Sequence, residues 1–122
     1  MKFAVFASLL VASLSAPALA ADWVLVSTNA REDTFYIDSK SVRTASNGYK
    51  RALELTVYRQ SDKFGDTSSQ ELVEYDCSGG RRRVLRSAFF SGQRITASGP
   101  GDAKWITHEF NSSGQNILKF VC

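Results

Sequence analysis

The residues that most often carry chemistry are scarce in this chain. Its 122 residues include one histidine, His108, and two cysteines, Cys77 and Cys122. These residues cannot form a four-ligand His/Cys zinc site, and the cysteines lack the C-x-x-C spacing of thioredoxin-like redox proteins. Thr107 and Glu109, the neighbours of His108, show no nucleophile–base pattern. We therefore expect no metal, no cofactor and no catalytic residue.

Signatures of phosphate-binding and glycoside-cleaving enzymes are also missing. Glycine clusters occur at residues 79–80 and 99–101, but no Gly-Lys-Ser/Thr follows either of them. The Asp and Glu residues are scattered without a pairing pattern. A non-enzymatic protein of one domain is therefore expected. The enzymatic alternative is a small hydrolase in which His108 would meet a distant acid and nucleophile.

Only one long apolar run occurs, at the N-terminus. Lys2 precedes an uncharged apolar stretch at residues 3–16, Pro17 ends it, and residues 18–20 read ALA, a small-x-small cleavage site. This order predicts a secretory signal peptide over residues 1–20, with an uncleaved hydrophobic helix or anchor as the alternative. The stretch is shorter than the roughly 20 residues of a membrane span, and no second one follows.

Residues 21–122 are therefore expected to form a single exported domain. No cysteine lies near residue 20, so the signal is not of the lipoprotein type, and the protein is expected in the periplasm or the medium. Display on the cell surface stays open. The chain has 15 Lys+Arg against 12 Asp+Glu, and Lys2 would leave with the signal, so the basic excess is weak. A nucleic-acid partner is not expected.

The two cysteines fit an oxidising compartment. Both lie in the predicted mature chain, and such compartments favour disulfides. The sequence therefore predicts a Cys77–Cys122 disulfide, with two free thiols as the alternative. A loop of this length would stabilise the fold by roughly 4 kcal/mol in the chain-entropy model.

The predicted mature chain is mainly β. Its apolar runs are short and separated by Gly, Ser, Asn and Asp clusters, which is typical of antiparallel strands. Asn47-Gly48 predicts a hairpin turn, and residues 92–93 and 97–101 are rich in turn formers. Leu53, Leu55 and Val57 alternate with polar residues, so one face of their strand should be buried and the other wetter. The predicted strands are residues 22–27, 34–38, 39–44, 50–58, 70–77, 82–91 and 104–109.

The C-terminal segment changes its period. Ser112 and Gln115 form a capping box, and apolar residues then recur at helical spacing. A short amphipathic helix over residues 113–121 is predicted, with a strand over residues 117–121 as the alternative. The predicted fold class is α+β: an antiparallel β-sheet of about five to six strands with a short C-terminal helix tethered by the disulfide.

The densest charge cluster is Arg81, Arg82, Arg83 and Arg86, in the strand that follows a Gly-Gly turn. A planar guanidinium binds oxyanions through two nitrogens, so these residues are candidates to bind an anionic polysaccharide, a phosphate or an acidic protein surface. Alternatively they are solvated charges that protect a sheet edge. Strict alternation would place Arg81 and Arg83 on one face, and Arg82 and Arg86 on the other.

Aromatic residues are numerous, and Phe89-Phe90 would place one ring on each face of its strand. Both sheet faces are then apolar in part, although the predicted helix can cover only one of them. A second apolar face favours a homodimer or contact with a ligand. Partial burial under loops is the alternative.

Several motifs in a fixed order resemble those of one family. They are WVLV at 23–26, FYID at 35–38, SV at 41–42, ALEL at 52–55, EYDC at 74–77, and the series Trp105, Ser112, Cys122. This order resembles the surface-adhesin protein E-like family of small exported bacterial proteins. The resemblance covers nearly all of residues 21–122.

The resemblance implies an antiparallel sheet whose C-terminal helix is held by a Cys77–Cys122 bond. It also implies a binding role and dimers, since the named member of the family acts as an adhesin for host extracellular proteins. We therefore expect an exported non-enzymatic binding protein with a host extracellular or envelope protein as its partner. The alternative is a periplasmic envelope accessory protein, for example an inhibitor of a lytic enzyme.

Overall fold

The structure, a computed structural model, describes residues 21–109 and 112–122. The predicted signal peptide over residues 1–20 lies outside these residues. Within them the chain forms an eight-stranded sheet and one α-helix. The strands are β1 (Trp23–Thr28), β2 (Thr34–Asp38), β3 (Arg43–Thr44), β4 (Lys50–Val57), β5 (Ser68–Asp76), β6 (Arg81–Ser91), β7 (Arg94–Pro100) and β8 (Ile106–Thr107), and the helix is α1 (Ser113–Val121).

The strands pair in the order β1-β2-β4-β5-β6-β7, and every pairing is antiparallel. The two-residue strands β3 and β8 pair with β4 and β6. Chain neighbours are mostly sheet neighbours, which makes the sheet a meander of hairpins. The predicted α+β class, an antiparallel sheet with a C-terminal helix, is confirmed.

Residues 94–100 form a strand, although the sequence predicted a turn at residues 97–101. Gly92 has φ 60° and closes a two-residue turn. Strand β7 then returns along β6, from the pair Arg94–Ser91 to the pair Pro100–Arg86. Since β7 lies at the edge of the sheet, its proline removes no hydrogen bond that the sheet needs. The turn formers therefore build a tight hairpin and an edge strand.

The predicted strand over residues 39–44 is wrong for its first half. Ser39–Ser41 form a 3₁₀ turn, and the Asp38 carboxylate accepts a hydrogen bond from the backbone N–H of Lys40 at 3.1 Å. Only Arg43–Thr44 pairs with β4. Asp and Ser favour such local hydrogen bonds over strand pairing, which explains the difference.

The predicted turn at Asn47-Gly48 is confirmed between β3 and β4. Gly48 has φ 89°, a conformation that glycine adopts without strain. Its N–H donates to the carbonyl of Ala45 at 2.9 Å, and the Asn47 side chain accepts from the N–H of Tyr49 at 3.1 Å. The turn thereby sets the start of the central strand β4.

Helix α1 spans the predicted residues, and the strand alternative is wrong. Ser112 caps it, because its hydroxyl accepts from the N–H of Gln115 at 3.1 Å. The predicted disulfide between Cys77 and Cys122 is present, with 5.7 Å between the two Cα atoms. It joins the end of α1 to the residue that follows β5.

The helix packs on one face of the sheet, which we call the helix face. The buried core there consists of Ile37, Ala52, Val73 and Tyr75 from the sheet and Ile117, Leu118 and Val121 from α1. The opposite face is called the outer face, and it carries Leu53 of β4 beside its partner Leu72 of β5. Paired residues of antiparallel strands lie on the same face, so the register assigns each side chain.

On β4 the buried face is not the leucine face. Ala52 and Glu54 are buried on the helix face, whereas Leu53 and Leu55 are half-buried and Val57 is exposed. The alternation predicted one buried and one wetter face, and both are present. The helix covers the face that contains a glutamate, so the leucines lie on the wetter one.

Candidate functional site

A bulge in β6 redistributes the candidate arginines. Leu72 pairs with Arg86, but the next pair skips one residue of β6, so Leu85 is extra. Arg86 therefore shares the outer face with Arg83, three residues away. The predicted placement of Arg86 with Arg82 is wrong, because strict alternation does not hold across a bulge.

The structure thus brings Arg81, Arg83 and Arg86 together on the outer face and sets Arg82 apart on the helix face. Arg86 is exposed, and it forms no ion pair with any described residue. The other arginines all contact carboxylates. Their side chains differ in exposure, from 38% for Arg81 and 27% for Arg83 to 12% for Arg82.

The fully buried carboxylate of Glu74 organises the outer-face arginines. It accepts hydrogen bonds from Arg51 Nε at 2.8 Å, from Arg83 Nε at 2.9 Å and from Asn47 at 3.0 Å. Burial alone would raise the pKa of Glu74, but these hydrogen bonds outweigh it and hold the pKa below its usual value. Glu74 is therefore a fixed anion between two cations on the neighbouring strands β4 and β6.

Trp105 stacks against two arginines of the outer face, Arg81 and Arg83. The guanidinium carbons of Arg81 and Arg83 lie over its ring, at 4.5 Å and 4.3 Å from the centroid, and Tyr49 meets the ring edge-on at 5.1 Å. Arg81 also binds Asp76 through Nε at 2.9 Å, which keeps the pKa of Asp76 low. The aromatic ring orients both guanidinium groups through cation–π contact.

The outer face is cationic beside an apolar centre. Arg51, Arg81 and Arg83 share two carboxylates, and exposed Arg43 pairs opposite Arg51. Toward β1 and β2 the same face is apolar. It carries the half-buried side chains Tyr36, Leu53, Leu55 and Leu72, and Leu25, which is 55% exposed.

Arg82 lies in a buried ionic cluster on the helix face. Its Nη2 donates to Glu54 Oε1 at 2.6 Å, and its Nε donates to Glu54 Oε2 at 3.2 Å. The Tyr75 hydroxyl also donates to Glu54, at 2.5 Å, and Glu71 lies 3.5 Å from Arg82 Nη2. The carboxylate of Glu54 thus accepts three hydrogen bonds from Arg82 and Tyr75, which makes it part of an ion pair and not a free general base.

Burial and charge shift the pKa values inside this cluster. Burial first, and the negative charge of Glu54 second, raise the pKa of Tyr75 far above its usual value and the pKa of Glu71 above its own. Burial disfavours the charged form of Arg82, but Glu54 outweighs it and raises the Arg82 pKa. The cluster therefore holds a neutral phenol and a permanent cation, as expected of a structural ion pair.

His108 borders the cluster and supports the helix. It is half-buried, and its imidazole packs against the backbone of Gly114 in the first turn of α1. Burial, and then the charge of Arg82, lower its pKa. Its buried Nε2 has no hydrogen-bond partner among the described residues. The histidine makes no nucleophile–base contact in this part of the chain and packs instead.

Sequence reasoning missed Glu54, Glu71 and Trp105 as members of these sites. Alternation along β4 placed Glu54 on the face opposite to Leu53 and Leu55. This placement would have indicated a buried glutamate only if the helix had been known to cover that face. Trp105 gave no signal, because its contacts depend on the path between β7 and β8. No cluster of three or more His, Cys, Asp or Glu side chains in residues 21–109 and 112–122 could hold a metal ion.

Comparison with known proteins gives one match. The family model described as surface-adhesin protein E matches residues 23–122, so the match spans the sheet, the helix and both cysteines. No curated protein and no solved structure matches the chain significantly. No helix in the described part of the chain is long and apolar enough to cross a membrane.

Proposed function

The chain belongs to the surface-adhesin protein E family, and we propose that it is an exported, non-enzymatic protein that binds an acidic protein partner through the outer face of its sheet. Membership gives it an adhesin-like role at the level of the family. The partners that we propose first are host extracellular proteins. We also propose that residues 1–20 are a signal peptide and that residues 21–122 are the mature domain.

The apolar part of the outer face, which α1 does not cover, is the observation that carries this proposal. Among the described residues, α1 packs on the opposite face, and the leucines around Leu53 and Leu72 stay half-buried. Exposed Arg86 borders these leucines, because it pairs with Leu72. An apolar centre with a charged rim is the composition of a protein interface, in which aromatic and arginine side chains carry most of the binding energy.

Two arginines of the outer face, Arg51 and Arg81, are prepared for an acidic partner. Within the described residues Arg51 and Arg81 contact their carboxylates through Nε, which leaves the Nη nitrogens available to donate. Glu74 holds the guanidinium of Arg51, and Asp76 and Trp105 hold that of Arg81, so little side-chain entropy remains to be lost on binding. A carboxylate on a partner can then accept two parallel hydrogen bonds.

An envelope accessory protein, such as a lytic-enzyme inhibitor, could use the same face, and location separates the two functions. The test is protease shaving of intact cells that express the tagged protein, together with release of the periplasm. Digestion by external protease supports the adhesin. A protein that stays protected and leaves with the periplasmic fraction supports the accessory protein.

The face itself is tested by charge reversal. Arg86→Glu should weaken binding to purified host extracellular proteins by roughly tenfold, in line with an arginine hot spot. The matched control is Arg94→Glu at the start of β7, which is also exposed and lies away from the outer-face arginines. Equal binding by the two variants would contradict the assignment of the face. Loss of heparin binding alone would indicate a polysaccharide ligand instead of a protein.

A further inference from the structure

A pocket that the outer face does not include opens near the β7 edge of the sheet. It lies beside the loop between β4 and β5, where that loop meets β6 and β7, whereas α1 lies against β1 and β2. The volume of the pocket is about 500 Å³, which is in the range of small-ligand sites. We call it the aspartate pocket, and its lining residues are Asp62, Phe64, Asp66, Phe89, Thr96 and Ala97.

The strand register places the floor of the aspartate pocket on the helix face. Phe89 of β6 pairs with Ser69 of β5, and Ser69 pairs with Thr56, two residues beyond Glu54 on β4. On its other side Phe89 pairs with Ala97 of β7. Paired residues share a face, so the pocket lies on the opposite side of the sheet from the proposed partner surface.

Hydrogen bonds fix the loop that forms the other wall of the pocket. Asp62 Oδ1 accepts from the N–H groups of Phe64 and Asp66, both at 2.9 Å. The N–H of Thr67 donates to the carbonyl of Phe90 at 2.7 Å, which ties the loop to β6. The ring of Phe64, although 77% exposed, is therefore carried by a closed turn at the wall of the pocket.

Each aspartate of the pocket keeps one carboxylate oxygen without a donor. Asp66 is only 6% exposed, and its Oδ1 accepts from the Thr96 hydroxyl at 2.6 Å. Within residues 21–109 and 112–122, no group donates to Oδ2 of Asp66 or to Oδ2 of Asp62. A carboxylate buried to this extent is normally satisfied by donors. The two Oδ2 atoms are therefore acceptors available to a ligand.

The basic side chains of this region stay outside the pocket. Exposed Lys63 has its Nζ 5.2 Å from the Phe64 ring centroid, and Arg94 is exposed at the start of β7. Neither of them lines the pocket or forms an ion pair with Asp62 or Asp66. The formal charges of these four groups cancel, so the preference for a cation arises from contact inside the pocket and not from long-range attraction.

A phenol next to the pocket experiences the charge of its aspartates. Burial is the main cause of the raised pKa of Tyr58, a hydrogen bond with Ser69 opposes it, and the charges of Asp62, Glu71 and Asp66 add to it. The local potential on this part of the helix face is therefore negative, which favours a cationic ligand over an anionic one.

We infer that the aspartate pocket binds an alkylammonium group, the end of a lysine side chain or of a free aliphatic amine. An ammonium carries three donors in a compact group, so it suits single oxygens from two carboxylates. A guanidinium suits both oxygens of one carboxylate, and here Oδ1 of each aspartate already accepts hydrogen bonds. The rings of Phe64 and Phe89 offer apolar contact to the methylene chain and attract the ammonium group.

The test titrates the isotope-labelled mature protein with n-butylammonium at neutral pH and follows the amide resonances by NMR. The shifts should be confined to residues 61–67, 89 and 95–97. The neutral isostere n-butanol should bind roughly tenfold more weakly, because it forms no charge-assisted hydrogen bond. Two further probes separate the sources of the group. Binding of a blocked lysine tripeptide assigns the pocket to lysine side chains of proteins, and binding of cadaverine without the tripeptide assigns it to free amines.

Asparagine variants test the two carboxylates. Asp62→Asn and Asp66→Asn keep an oxygen acceptor but lose the charge, so each should weaken binding of n-butylammonium by roughly tenfold. The matched control is Asp102→Asn, since exposed Asp102 likewise accepts from a backbone N–H, that of Lys104 at 3.1 Å. It should bind as the wild type does.

Phe64→Ala removes an exposed ring and leaves the carboxylates in place, so it tests the aromatic wall in a variant that should fold. Its binding should also weaken, and the melting temperature of each variant confirms that it is folded. The inference would be overturned if n-butylammonium caused no shifts at the pocket, if n-butanol bound equally well, or if the folded pocket variants bound as Asp102→Asn does.

Discussion

Arg82 and Glu54, which are 28 residues apart in the chain, meet on the helix face with 2.6 Å between Nη2 and Oε1. Their side chains are only 12% and 5% exposed. The most central arginine of the basic cluster is therefore removed from solvent by a carboxylate on β4. A buried pair of this kind is costly to break, because the remaining charge stays in a poorly solvated site.

Arg82→Met should destabilise the protein strongly. It leaves Glu54 buried without its cation, and removal of one partner of a buried ion pair typically costs about 3–5 kcal/mol of unfolding free energy. Urea unfolding of the variant and wild type measures the change. Arg86→Met is the matched control on the same strand, and since Arg86 is exposed it should stay within about 0.5 kcal/mol of wild type. Equal losses in the two variants would show that Arg82 has no special structural role.

Loss of the disulfide should lower stability by a comparable amount. Cys77 and Cys122 are 45 residues apart in the chain, and the chain-entropy model gives a loop of that length roughly 4 kcal/mol. Cys77→Ser/Cys122→Ser avoids a stray thiol. Thermal melts should show a large fall in melting temperature for this variant. The reductant dithiothreitol should lower the melting temperature of the wild type but not of the variant, and a variant that melts like the oxidised wild type would contradict the prediction.

Local signals account for most of the predicted fold. The cap Ser112, the turn at Asn47-Gly48 and the two cysteines each act over a few residues or through compartment chemistry, and all three predictions are confirmed. The predictions that failed concern segments whose residues fit two kinds of local structure. Turn formers at residues 97–101 also fit an edge strand, because proline and glycine are tolerated where no further strand pairs.

The candidate site was only partly predictable for a different reason. Arg81 and Arg83 lie on one face as alternation requires, but the bulge at Leu85 moves Arg86 to join them, and one extra residue in a strand leaves no clear sequence signal. The Trp105 stack depends on a long-range contact that spacing does not encode. The pairing of Arg82 with Glu54 could be inferred only after the structure showed which face of β4 the helix covers.

Gly114→Ala should destabilise the start of α1. A Cβ at this position would overlap the imidazole of His108, so the ring or the helix must move, and such overpacking costs about 1–3 kcal/mol. Gly99→Ala is the matched control, since a Cβ there meets no atom within 4 Å. The double variant His108→Ala/Gly114→Ala should recover part of the loss. A double variant that is destabilised by the sum of the two single changes would exclude contact between the two residues.

The stability of the protein should fall as the pH drops through the histidine range. Burial, and then the charge of Arg82, lower the pKa of His108 from 6.5, while Glu54 opposes them only in part. The unfolded chain then binds a proton more readily than the folded one, so unfolding free energy is lost as the pH falls below about 6.5. His108→Gln should abolish this decline between about pH 7.5 and 5.5, as measured by urea unfolding at each pH.

Three carboxylates with lowered pKa values titrate at a more acidic pH than His108, so the loss of stability caused by the histidine can be identified separately. The pKa values of Asp33, Glu74 and Asp76 are lowered, so their stabilising contributions are present above the usual carboxyl range and are lost only as the pH falls through it. The Glu71 pKa is raised, so its protonation acts in the opposite direction and cannot produce the decline. A His108→Gln variant with the same pH slope as the wild type above about pH 5.5 would assign the decline to another group, because no lowered carboxyl titrates there.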